Sequence, residues 1–335
     1  MEITAGGRFE VRITPTDVGR RVSVRRLNPD REGTERFTDT VGVLASWNEG
    51  VLLITARDGR IARIAESDLV AGKVVPPAPA RRRGPAAGFR ELAQVGARAW
   101  QPVESEPLGE WTLRAAGGFT RRANSVLPLG EPGTPLDDAL ARVTSWYAER
   151  GLPAYLQAAT GAEGTQEVLC AELTARGWVR EVSAGVRIGA LAPVGDQAAD
   201  VGHQVRLSRD YDRAWARRYQ RVASLGPHVR QVLTAGPSVW FATVAGADAD
   251  GPAAAIGRCV VDGRWAGFMA VETDPQARRR GLATAVMATL ARQALAEGAS
   301  AAWLQVEEDN EGALALYERM GFSLHHSYHH YRGPR

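Results

Sequence analysis

The sequence is poor in cysteine and lysine and has no long hydrophobic run. Among 335 residues there are two cysteines, Cys170 and Cys259, far apart along the chain, so no disulfide framework is expected and a reducing cytoplasm suits it. Lys73 is the only lysine, and arginine carries nearly all the positive charge. We read that as a coding bias, because the net charge is only +3. A solvated mixed-charge surface then accounts for the arginines, and nucleic acid is not expected as a partner. No stretch of about 18 apolar residues occurs, which argues against a transmembrane helix. The N-terminus, acidic at Glu2, lacks the apolar core of a signal peptide. Apolar content of 44% and charged content of 24% are those of a globular protein, and the length predicts two or three domains.

Residues 1–75 read as all-β. Short runs rich in Val and Ile (21–27, 40–46, 51–55 and 61–64) are separated by Asn48-Glu49-Gly50 and Asp58-Gly59 where hairpin turns belong. Strands this short and this tightly joined resemble a small SH3-like barrel. Residues 76–88, rich in Pro, Ala and Gly and containing Arg81-Arg82-Arg83, read as a solvated linker. A helix is predicted from Phe89 to Trp100, and a weaker break at 189–202.

An internal repeat spans the rest of the chain. Residues 146–178 and 291–322 both run from a helix end through Gly to a strand ending in Leu-Gln (Leu156-Gln157, Leu304-Gln305). A turn, a helix and a Gly-aromatic pair follow (Gly177-Trp178, Gly321-Phe322). Two related α/β units in tandem are inferred, at 89–190 and 201–335. The second reads as a strand at 201–207, helical stretches at 211–223 and 228–235, and three antiparallel strands (239–244, 253–261, 265–273) with a tight turn at Asp262-Gly263. A loop, a helix to Glu297, a strand at 301–306, a helix at 310–320 and a terminal strand pair complete it.

Chemistry is concentrated where the strand at 265–273 gives way to the long helix. The run Val271, Glu272, Thr273, Asp274, Pro275, Gln276, Ala277, Arg278, Arg279, Arg280, Gly281, Leu282, Ala283 ends a ladder at proline and opens a helix with small residues. Free N–H groups at a helix start, with the macrodipole, make an anion site, and adjacent amides can cradle a pyrophosphate. Arg278-x-x-Gly281-x-Ala283 resembles the acyl-CoA signature of the GNAT superfamily of N-acetyltransferases. The downstream block, from Leu304-Gln305 through Asn310 and Tyr317 to Gly321-Phe322, resembles the second motif of that family.

The resemblance implies an α+β GNAT fold, a mixed central sheet with flanking helices, for the last unit, and a degenerate GNAT-like copy before it. It implies acetyl-CoA as cosubstrate and a primary amine of a small molecule or protein as acceptor. The amides of Arg278, Arg279, Arg280, Gly281, Leu282 and Ala283 would hold the pyrophosphate. The backbone of Val271, Glu272 and Thr273 and the side chain of Asn310 would hold the pantetheine arm. Tyr317 would donate a proton to the leaving thiolate. Read from the residues alone, Asn310 is equally a helix cap and Tyr317 equally a core aromatic.

The first unit lacks this chemistry: its loop reads Gly130-Glu131-Pro132-Gly133-Thr134-Pro135, and Leu173 stands where Tyr317 stands. Gln305 occupies a position where some relatives carry Glu, so the base must lie elsewhere. Glu272 is the first candidate, with Glu307 and Glu308 after it. The histidines at 325, 326, 329 and 330 fall on a predicted C-terminal hairpin, where alternation keeps all four from converging on a metal; one could serve as a base. The tandem arrangement resembles mycothiol synthase-like double-GNAT proteins, as a monomer with an internal pseudo-dimer or as a homodimer. Two other classes stay open: a CoA-binding sensor or pseudoenzyme coupled to the barrel, and an adaptor whose barrel binds nucleic acid or protein.

Overall fold

The computed structural model describes residues 10–28, 36–76, 84–197, 205–219, 227–248 and 250–334. The arginine run 81–83, the start of the strand expected at 201–207 and the end of the helix expected at 211–223 lie outside the described residues.

Five antiparallel strands form the N-terminal sheet: β1 (Arg21–Leu27), β2 (Phe37–Asn48), β3 (Val51–Thr55), β4 (Ile61–Ala65) and β5 (Leu69–Val74), ordered β4-β3-β2-β1-β5. Glu49 and Gly50 both take positive φ, the geometry of a tight hairpin turn between β2 and β3. Val22, Val24, Leu44, Leu52, Ile54 and Ile64 alternate inward to a small core. β5 was not read from sequence, since Gly72 and Lys73 break its apolar pattern.

After α1 (Phe89–Ala99) come β6 (Glu104–Leu108), β7 (Trp111–Ala115), β8 (Leu127–Pro128), α2 (Leu136–Ala148), β9 (Tyr155–Thr160), α3 (Glu167–Ala175), β10 (Val179–Ala190) and the short α4 (Ala192–Gly195). β6-β7-β8 form a sheet of their own. β8 is only two residues long. The Asn124 side chain accepts from the amides of Ala116 and Gly118 and donates to the carbonyls of Phe119 and Thr120, so it closes a loop.

The remainder is β11 (Val205–Ser208), α5 (Arg213–Arg218), α6 (Pro227–Thr234), β12 (Ser238–Val244), β13 (Ala255–Asp262), β14 (Trp265–Thr273), α7 (Leu282–Ala296), β15 (Ala301–Glu307), α8 (Glu311–Arg319) and β16 (Ser323–Arg332). These join β9 and β10 in one eight-stranded sheet, β11-β12-β13-β14-β15-β10-β16-β9, in which only β14–β15 is parallel. The predicted C-terminal hairpin is therefore corrected: β16 is a single buried strand inside the sheet.

The repeat is visible in the pairing. The last strand of each unit lies beside the penultimate strand of the other, β10 against β15 and β16 against β9. Ala184 pairs with Tyr328, its counterpart in the repeat. The two bulges of the β10–β16 ladder skip Glu181 and His325, which are also counterparts. A pseudo-two-fold axis thus crosses the sheet at Ala184/Tyr328.

α7 is alanine-rich, free of Gly and Pro, and buries Leu282, Val286, Met287, Leu290, Ala291 and Ala294 on one sheet face. α1, α5 and α6 cover the opposite face, through Leu92, Val95, Trp215, Val232 and Leu233. α1 was expected to belong with the first unit; it packs on both, Phe89 and Ala93 against Ala159, Ala184 and Val186 of the first and Leu92, Val95 and Ala99 against strands of the second. Arg258, fully buried, explains part of this. It donates to Ala99 O at the end of α1 (3.0 Å) and to Leu233 O (2.6 Å) and Ala235 O (2.8 Å) at the end of α6, fixing both helix ends to β13. The N-terminal sheet rests on α3 and β9: Thr55 donates to Glu167 O (3.1 Å) and Thr160 to Arg57 O (2.8 Å). Among the described residues no helix is long and apolar enough to cross a membrane.

Candidate active site

β14 and β15 run parallel only from Trp265↔Ala301 to Phe268↔Leu304. Beyond that register β14 continues to Thr273 and β15 to Glu307 with no further pairing among the described residues, so a gap opens between them. A bulge opens it. Ala270 takes φ +53, unusual for a residue with a side chain, and Gly257 opposite drops out of the β13–β14 register. A side chain at Gly257 would meet Val286 and Leu290 (2.5 and 3.1 Å), so glycine there lets α7 settle against the bulge. Val271, Glu272 and Thr273, all half-buried, form the edge that results.

The Arg-rich loop is braced at its start. Asp274 accepts from Gln276 N (2.8 Å) and pairs with Arg218 of α5; the amide bond and that guanidinium hold its carboxyl below the usual range. Arg278, Arg279 and Arg280 are exposed. Arg279 (φ +64) and Gly281 (φ +76) both adopt the left-handed conformation, and Gly281, at the N-cap, has no side chain with which to cap α7. A Cβ placed on Gly281 would have no atom within 4 Å. The entry to a fifteen-residue helix is therefore unhindered at Gly281, and its first-turn amides have the polarity a diphosphate needs. Leu282 is buried and anchors the turn, and Ala283 is half-buried beside it.

Side-chain alternation sorts the remaining candidates onto two faces. Glu272 pairs with Ile256, and Gln305 and Glu307 alternate with Leu304 and Val306, so all three point to the α1/α5/α6 face, on either side of the gap. Tyr317 lies on the other face, buried with Phe322 (ring centroids 6.0 Å apart) in the core under α7. Burial pushes its phenol up to about 12, so it stays protonated at neutral pH. A group threaded through the gap would meet carboxylates on one side and a phenol on the other. Asn310 is exposed and accepts from Ala313 N (3.2 Å), the capping role. Glu308 accepts from Ser327 (3.2 Å), away from the other two acids. The histidines do not converge on one point: His329 bonds Thr160 (2.9 Å) and Ser183 (2.7 Å), His325 bonds Ala87 O (3.0 Å) and His326 (Nδ1 to Nδ1, 2.8 Å), and His326 and His330 are buried under α1 and the first unit.

In the first unit the corresponding strands touch only at the parallel bridge Val126↔Leu156. The groove beyond, about 690 Å³, is lined by Trp111, Leu129 and Leu136 and by the carboxylates of Glu131, Glu163 and Glu172. Leu173 is fully buried where its counterpart is Tyr317.

A family model described as "Probable histone acetyltransferase Rv0428c C-terminal" matches residues 86–331. The chain belongs to that family, an acetyltransferase family with the GNAT fold. It is 28% identical over 314 residues, 92% of this chain and 93% of the relative, to the probable histone acetyltransferase Rv0428c of Mycobacterium tuberculosis. It is 24% identical over 257 residues, 74% of this chain and 99% of the relative, to the uncharacterized N-acetyltransferase YobR of Bacillus subtilis. Among solved structures, a GCN5-related N-acetyltransferase from Kribbella flavida superposes with a TM-score of 0.58 at 15% identity, covering 75% of this chain and 97% of that one. A tandem GNAT protein from the clavulanic acid biosynthesis pathway gives 0.52 at 14% identity, covering 76% and 91%. The two structural likenesses carry the fold, and the tandem one has the same doubled arrangement of units. In this GNAT acetyltransferase Val271, Glu272 and Thr273 form the edge of the gap, while Asn310 caps α8 and Tyr317 packs in the core under α7. Arg258, the Arg218–Asp274 brace and the exchange of terminal strands were missed, because each depends on contacts between segments far apart in sequence.

Proposed function

We propose that this enzyme moves an acetyl group from acetyl-CoA to a primary amine at the gap between β14 and β15, with one such site per chain. The open, uncapped start of α7 beside the parted strands is the observation that carries this reading. When bound, acetyl-CoA supplies the acyl group and the thiol that departs. Arg278 to Ala283 present their amides to its diphosphate, and the edge from Val271 to Thr273 supports its pantetheine arm. Amides near Glu272 and Thr273 polarise the reacting carbonyl. Tyr317 holds a proton for the departing sulfur. The acceptor amine is mostly protonated at neutral pH and must lose a proton to react. Glu272, on the face opposite Tyr317, takes that proton directly or through water. Placing amine and thioester together supplies much of the acceleration.

Calorimetry and thermal melting with acetyl-CoA test this. One cofactor per chain is expected, with a stabilisation of about 2.7 kcal/mol at a hundredfold excess over Kd. Two equal sites would overturn the single-site reading, and no stabilisation would overturn the function. Release of free thiol that depends on an added amine separates an enzyme from a CoA-binding sensor.

Glu272→Gln keeps shape and removes basicity. It is expected to lower kcat by roughly 100-fold, with the KM for acetyl-CoA within a few-fold. Unchanged turnover would pass the role of base to Glu307.

A further inference from the structure

The two units border an open cavity of about 370 Å³, lined by Arg121, Arg122 and Tyr155 from the first and by Glu307, Tyr328 and His330 from the second. That volume suits a small molecule. Its position follows from the register. Glu307, Ala184 and Tyr328 form one row across β15, β10 and β16, and Val182 and His330 form the next row. All of them point to the same face as Glu272 and Gln305. The cavity therefore continues from the end of the gap, and Tyr328 stands roughly 10 Å from Glu307, two strand spacings away.

Its electrostatics run in one direction. Arg121 is already engaged, with Glu181 (3.0 Å) and the Tyr155 hydroxyl (3.4 Å). Arg122 is not. Its Nε donates to the Tyr328 hydroxyl (2.8 Å) and its guanidinium lies 5.8 Å from the ring centres of Trp100 and Tyr328. Among the described residues neither Nη makes a hydrogen bond, and no carboxylate lies within ion-pair distance of Arg122. His330 is buried with both ring nitrogens unpartnered. Burial and the charges of Arg122, Arg114 and Arg121 keep it neutral, and a neutral imidazole still offers one N–H. The sealed, unpartnered imidazole is costly to leave unmet, and the half-buried Arg122 fork beside it carries a positive charge with no carboxylate partner among the described residues. The fork matches the two oxygens of a carboxylate. At the other end, Glu307 borders the gap and favours an ammonium. His330 corresponds in the repeat to Val186, which is apolar, so this polar wall comes from particular side chains and not from the symmetry of the fold.

We propose that this cavity is the far part of the acceptor site and that Arg122, with His330, holds a carboxylate on the acceptor. The acceptor is then an amine whose acid group lies at the other end of a short chain, within the roughly 10 Å between Glu307 and Tyr328. This rests on the acetyl-transfer reading above. With the full chain, ε-aminocaproate is expected to exceed n-hexylamine in kcat/KM by tenfold or more. Arg122→Gln should collapse that ratio towards one through KM, and Arg122→Lys should restore part of it. Calorimetry with N-acetyl-ε-aminocaproate, without cofactor, reads the cavity independently of catalysis: binding should be lost in Arg122→Gln while acetyl-CoA binding persists. If Arg122→Gln melts lower, Tyr328→Phe, which removes only the hydroxyl holding Nε, carries the same test. Equal binding of the carboxylate by wild type and variant, or tighter binding of inorganic phosphate than of the carboxylate, would overturn the proposal. If acetyl-CoA fails to stabilise the chain, the function falls, and the calorimetric arm still decides the cavity.

Discussion

Replacing Gly281 by glutamate is expected to weaken acetyl-CoA binding by at least about 100-fold while leaving the fold intact. Two effects separate cleanly at this position. The first is backbone strain: Gly281 has φ +76, and an L-residue in the left-handed region costs roughly 1–2 kcal/mol. A Cβ there meets nothing within 4 Å, so no clash adds to that cost. The second effect is charge. A carboxylate at the uncapped start of α7 would itself be attracted by the helix amides and would repel a diphosphate seeking the same place. Like charges about 4 Å apart near a surface repel by roughly 4 kcal/mol, more than the tenfold step of about 1.4 kcal/mol twice over. Gly281→Ala carries the strain without the charge, so its loss should stay near tenfold. Calorimetric titration of the two variants against wild type checks the ordering. Wild-type affinity in both would remove the diphosphate from this loop.

Part of this site was legible in the sequence, and the reason is local. Pro275, the arginines, Gly281 and the alanine-rich helix are punctuation read over a few residues, and β14 has the bounds its apolar run predicted. Tyr317 was placed on an inward face by helical spacing alone, and it is buried. The repeat was also legible, because Leu-Gln and Gly-aromatic pairs recur at matching points. What the repeat does in space was not legible. Exchange of β10 and β16 between units is a choice among pairings with nearly equal local patterns, and only the assembled sheet decides it. The histidine-rich segment at 325–330 read as part of a C-terminal hairpin, and the sheet takes it as one interior strand. Burial there is made tolerable by partners from distant segments, such as Thr160 and Ser183 for His329. Arg258 went unnoticed for the same reason: a charge inside an apolar strand pattern has no visible use until two helix ends converge on it. Arg122 sits between the two cases, an ordinary arginine in sequence whose setting only the opposing unit reveals.

Tyr317→Phe should separate stability from catalysis more sharply than any other single change. The ring packs against Phe322 in the core under α7, and Phe keeps that contact. The hydroxyl makes no hydrogen bond among the described residues, and the side chain as a whole is buried. Removing it should change folding stability by less than about 1 kcal/mol. Its chemistry is another matter. Burial raises the phenol to about 12, which keeps the proton in place through the neutral range and leaves it available to a departing thiolate. Loss of a positioned acid lowers turnover by roughly 100-fold or more, while the KM for acetyl-CoA, set by the amides of the Arg-rich loop and the β14 edge, should move little. The phenol remains un-ionised well above neutrality, so a fall in wild-type rate between pH 7 and pH 9 would belong to another group and would persist in Tyr317→Phe. Steady-state kinetics with a thermal melt decide the matter: kcat within twofold of wild type at unchanged melting temperature would make Tyr317 a core aromatic and return the leaving thiolate to solvent for its proton.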